Sequence, residues 1–105
     1  MDEFVCVTLL SKVGESRDAF HLRLAGFWTH MLRTSPNEYE RVYAESSESE
    51  VKADRIARRY LVGADIVQLL DEQLFALGVD HEPIDVDDLY SKFEAAPPEW
   101  FQVPH

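Results

Sequence analysis

The first apolar run of the chain, FVCVTLL at 4–10, has no polar side. Successive strand residues alternate between faces, so Val5, Val7 and Leu9 would point one way and Phe4, Cys6, Thr8 and Leu10 the other. β-Branched and large apolar residues bounded by Asp2-Glu3 and by Ser-Lys-Val-Gly predict a strand covered on both faces. At 15–33, Phe20, Leu24, Phe27, Trp28, Met31 and Leu32 recur at helical spacing, an amphipathic helix with an aromatic-rich stripe. Glu15 and Asp18 near its start and Arg33 near its end suit the helix dipole, and Pro36 limits its extension.

The middle of the chain supports two patterns. Ser35, Pro36 and Glu38 stand in the order of a capping box with proline at the first helical position, which predicts a short helix. Tyr39, Arg41 and Tyr43 alternate with Val42 and Ala44, which predicts a strand. Further on, the apolar residues of 56–64 and those of 66–77 fall on different arcs of a helical wheel, so one straight helix would leave one set wet. A strand carrying Ile56, Arg58, Tyr60 and Val62 on one face, broken at Gly63, removes the conflict. A second helix then runs from near Ala64 to a left-handed end at Gly78. A short strand over 79–86 and a helical turn or two at 87–93 complete the order. The predicted fold class is α+β, a ferredoxin-like βαββαβ sandwich with a short C-terminal helix and tail. The alternative is a mostly helical domain with a small sheet. Residues 1–96 are expected to form one domain, and 97–105 a proline- and aromatic-rich tail.

Composition adds a capacity and two exclusions. A chain of 105 residues that is 46% apolar can build a core without staples. Its net charge of -10 sets a field that repels phosphate backbones, so no nucleic-acid partner is expected. No apolar stretch approaches the roughly 18 residues of a membrane span. One cysteine, Cys6, cannot form an internal disulfide, and the opening Met-Asp-Glu carries no export signal, so the expected location is cytoplasmic.

The most charged segment, DHEPIDVDDLY at 80–90, invites a metal-site reading. A calcium loop aligned on Asp85 and Asp87 reaches Leu89 and Tyr90 where a ligand and a glycine are required, and the match fails. Capping of a following helix by Asp85, with Asp87 and Asp88 in its first turn, accounts for the charges more simply. His21 and His30 lie about half a turn out of phase on their helix, and neither His81 nor His105 completes a zinc-binding pair. No metal and no cofactor are expected.

Arg58 is the stronger lead. On the strand reading its guanidinium stands between Ile56 and Tyr60 on an otherwise apolar face and needs an anion. An ion pair with Glu40 or Glu45 is the ordinary account. The sharper account is a pocket in which Arg58, Tyr60, Arg59 and His21 hold a small carboxylate or phosphate. No nucleophile and base can be placed together, which speaks against an enzyme. The sequence therefore favours a non-enzymatic interaction or regulatory module acting as a homodimer. A small-molecule binding protein or cofactor-independent enzyme is the alternative. Phe4, Cys6 and Leu10 would form the dimer contact, extended by Trp100 and Phe101 of the tail, which could also recruit another protein.

Overall fold

Both faces of the first strand, β1 (Glu3–Leu10), are drawn out of water as its pattern requires. The computed structural model describes residues 3–46, 50–52, 54–84, 89–91 and 101–102. After β1 come α1 (Arg17–Thr34), α2 (Pro36–Tyr39), β2 (Val42–Ser46), β3 (Glu50–Lys52) and β4 (Arg55–Gly63). A 3-10 turn (Ala64–Ile66), α3 (Val67–Ala76), β5 (Asp80–His81), β6 (Leu89–Ser91) and β7 (Phe101–Gln102) follow. The domain is α+β, built on an antiparallel sheet whose three principal strands lie in the order β1, β4, β2. β5 and β6 pair with the outer edge of β1, β3 pairs with β4, and β7 lies beyond β2.

Register decides what each strand residue meets. Val5 opposite Val62, Val7 opposite Tyr60 and Leu9 opposite Arg58 share one face of the sheet. Phe20, Leu24, Phe27 and Met31 of α1 and Val67, Leu70 and Leu74 of α3 pack on that face, each worth about 1.5–3 kcal/mol of burial. On the far face Cys6 opposes Leu61, Thr8 opposes Arg59 and Leu10 opposes Ala57. Phe4, Ala57 and Leu61 are already buried there within one chain, at 4%, 1% and 1% exposure, whereas Cys6, Thr8 and Leu10 are half-buried. One buried hydroxyl ties the two central strands: Ser11 Oγ accepts the Ile56 N–H at 2.8 Å and donates to the Lys12 carbonyl at 2.9 Å.

Local signals place the helix ends. Ser16 caps α1, its side chain accepting the Ala19 N–H at 3.1 Å. At the end of α3, Gly78 has φ 69°, its N–H reaches Phe75 O at 3.2 Å, and Val79 N–H reaches Leu74 O at 2.9 Å. That pair of bonds is a Schellman motif, which needs the left-handed residue glycine supplies. Both readings of the middle segment hold in turn, a four-residue helix and then a strand, although Ser35 makes no side-chain cap.

Two expectations near the C-terminus are corrected. The strand predicted over 79–86 is only Asp80–His81, with 85–88 outside the described residues. Pro83 lacks the N–H that a longer ladder would use. Leu89–Ser91, expected to be helical, is a strand opposite Glu3–Val5. β5 occupies the edge of β1 only at Leu9 and Leu10, so the backbone groups of 3–5 still need partners, and β6 supplies them.

Candidate functional site

Arg58 points from β4 toward the helices, opposite Leu9, with 20% of its side chain exposed. Its three nitrogens have three different fates. Nη1 lies 3.4 Å from His21 Nε2 on α1, a hydrogen bond in the tautomer that leaves Nε2 free to accept. Nη2 pairs with Glu45 Oε2 at 3.2 Å, and that glutamate is 54% exposed. Nε is buried and has no partner.

A second orphan donor lies in the same layer. Trp28 stands two turns after His21 on α1, half-buried, its ring 4.9 Å from Tyr60, 4.9 Å from Phe27 and 6.2 Å from Tyr39. Its indole Nε1 is buried with no hydrogen bond. Burial pushes the Tyr60 hydroxyl up to about 12 from the usual 10, against smaller opposing effects of the Trp28 N–H and the Arg58 charge. The indole N–H therefore feels the phenol oxygen, without a hydrogen bond between them. Tyr60 is a neutral phenol at physiological pH. A protonated phenol, an arginine fork and an indole can hold an acceptor; they offer no nucleophile.

The chain matches no known family model, and neither curated proteins nor solved structures provide a match.

Glu45 reaches Arg58 through a β-bulge. Val42 opposes Val62, but Ala44 opposes Leu61 and Glu45 opposes Tyr60, so the register slips between Val42 and Ala44. Without the slip Glu45 would lie opposite Arg59, on the far face; the extra residue re-aims it toward the helices.

Of the residues singled out in sequence, Arg58, Tyr60 and His21 share the helix-covered side. Arg59 does not join them, because it opposes Thr8 on the other face. Phe101 pairs with Ser46 at the edge of the sheet, and Trp100 lies outside the described residues. Trp28 was missed as a site residue because its place in the apolar stripe reads as core. The available signal was its seven-residue offset from His21, which puts both on one line of α1.

The acidic segment is accounted for in part by ordinary pairs. Asp80 meets Arg55 at 3.2 Å and His81 meets Asp71 at 2.7 Å, while Asp85, Asp87 and Asp88 lie outside the described residues. Among the described residues no group of three or more His, Cys, Asp or Glu could hold a metal ion. No helix among them is long and apolar enough to cross a membrane. Two open depressions of about 460 and 430 Å³, one beside Val67 and Asp71 and one at the end of α3, lie away from the Arg58 group.

Proposed function

We propose that the protein binds a small anionic ligand between α1 and the sheet, at Arg58. The observation that carries this is the buried, unpartnered Nε of Arg58. A buried donor without an acceptor costs about 1–3 kcal/mol, and more when charged, and such groups are otherwise rare. Retaining one on an apolar strand face is reasonable if a ligand completes it, and the orphan Trp28 N–H in the same aromatic layer supports the reading. The strand order β5, β1, β4, β2 is compatible with a ferredoxin-like sandwich, whose helix layer would form one wall of the pocket. A fold of that kind names no ligand by itself.

The test is a thermal-shift screen of small carboxylates and phosphates against the wild type and Arg58→Met. A ligand that raises the wild-type melting temperature and leaves Arg58→Met unmoved supports the reading. A screen in which every ligand acts equally on both rejects it.

A homodimeric interaction module is the second reading, favoured by half-buried Cys6, Thr8 and Leu10 on the far face of β1. The contact would be narrower than the sequence suggests, since Phe4 already leaves water within a single chain. Light scattering at micromolar concentration tests it, and a mass that stays near 12 kDa on concentrating rejects it.

A further inference from the structure

Four arginines among the described residues pair with carboxylates, and the way they do so differs: Arg55 reaches Asp80 through Nη2 alone at 3.2 Å, with its side chain 33% exposed to water. Arg23 uses its whole side edge: Nε donates to Glu15 Oε2 at 3.1 Å and Nη2 to Glu15 Oε1 at 2.8 Å. Arg41 does the same toward Asp65, with Nε at 3.1 Å and Nη2 at 2.9 Å from Oδ1. Arg58 presents the same edge and fills half of it, Nη2 on Glu45 at 3.2 Å and Nε on nothing. Nε–H and Nη2–H point the same way from a planar guanidinium and match the two oxygens of one carboxylate. Glu45, arriving from β2 through a bulge and 54% exposed, meets only the outer donor.

From this geometry we infer that Glu45 is a displaceable counterion and that the ligand of this site is a small planar carboxylate with an aromatic body. The inference rests on the anion-binding reading above and specifies it. The ligand carboxylate takes both Nε and Nη2 of Arg58, and Glu45 swings into the water it already touches. No covalent step is involved. A carboxylate fits better than a phosphate dianion because Arg58 is the cation at this point and one guanidinium balances one charge. Half-buried Trp28, in ring contact with Tyr39 on one side and buried Tyr60 on the other, offers aromatic surface in the same layer as the fork. Glu45 keeps the arginine partly neutralised when the site is empty, and ligand affinity is reduced by whatever holding Glu45 in place contributes.

The experiment follows benzoate binding by NMR, reading the Arg58 Nε–H and Trp28 indole N–H resonances, in the wild type, Glu45→Gln and Glu40→Gln, with inorganic phosphate as a second probe. Glu40→Gln makes the same charge change at an exposed residue outside the Arg58–Glu45 pair. Expected results are a benzoate-dependent shift of the Arg58 Nε–H in the wild type and binding about fivefold tighter in Glu45→Gln, the factor set by removing a competing surface ion pair. Glu40→Gln should leave the affinity unchanged at physiological salt, where distant charges are screened. Benzoate binding that is equal or weaker in Glu45→Gln, or equally tighter in Glu40→Gln, overturns displacement while leaving the anion site standing. Phosphate binding without benzoate binding overturns the carboxylate assignment. No shift with either probe in any of the three proteins overturns the anion site itself.

Discussion

Replacing Arg58 by methionine should make the protein more stable, an unusual outcome for removing a buried charged partner. Two interactions are lost. The ion pair to half-exposed Glu45 contributes about 0–1 kcal/mol, and the 3.4 Å contact to His21 is long enough to contribute less than an ordinary hydrogen bond of about 1 kcal/mol. Against them stands the buried Nε, whose unpartnered, charged donor costs about 1–3 kcal/mol or more. Methionine keeps an unbranched stem along the same apolar path between Ile56 and Tyr60, so the cavity left behind is small. The balance favours the variant by about 1 kcal/mol, which for a domain of this size raises the melting temperature by about 4 °C. Urea unfolding at pH 7 measures it as a higher midpoint at unchanged slope. A variant less stable than the wild type by more than about 1 kcal/mol would mean that Arg58 is fully satisfied in solution. The anion-binding reading would then lose the observation on which it stands.

Ser11→Ala should destabilise by about 1–3 kcal/mol in the same assay, because it strands the buried Ile56 N–H between the central strands; a change within 0.5 kcal/mol, an ordinary surface effect, would mean water replaces the hydroxyl. Gly78→Ala should cost about 1–2 kcal/mol although nothing lies within 4 Å of the new Cβ, since φ there is 69°. Gly63→Ala should be near neutral in spite of Asp65 Oδ1 at 2.6 Å, because the crowding atoms are side-chain ends of a half-exposed pair that can move; equal costs at the two glycines would refute the distinction between backbone and contact strain. The Tyr60 phenol is raised from 10 to about 12 in the folded chain, so the unfolded chain sheds its proton first as pH rises. Stability should fall between pH 10 and 12 by roughly 1.4 kcal/mol per unit and be full below that window. Tyr60→Phe should flatten this slope, and an unchanged slope would place the alkaline sensitivity elsewhere.

What could be read from the chain was whatever depends on neighbours in sequence. The two-sided apolar run of β1, the stripe of α1 and the glycine that ends α3 are written within one or two turns of backbone, and each stands where its pattern put it. The second helix was foreseen because two sets of apolar residues could not share one wheel, a conflict that is itself local. β6 was misread because the reason for it is remote. LYS at 89–91 carries no strong strand pattern, and it is extended because the edge of β1 at Glu3–Val5 has backbone groups to satisfy. Tertiary demand overrides weak local preference there.

The site divides along the same line. Arg58 and Arg59 are adjacent, yet once β4 is a strand their side chains must part: one sits opposite Leu9 under the helices and the other opposite Thr8 on the far face. Parity alone, applied strictly, would have removed Arg59 from the pocket. The need of Arg58 for an anion pointed to Glu40 or Glu45, and Glu45 is the partner, but that need does not say how it arrives: counting in twos along β2 without the bulge sends it to the far face with Arg59. One inserted residue, invisible in composition and periodicity, moves a carboxylate from one side of the sheet to the other and sets it against half of an arginine fork. The half left open, Nε, is a matter of one hydrogen bond that no residue pattern encodes, and the proposed ligand site rests on that unfilled donor.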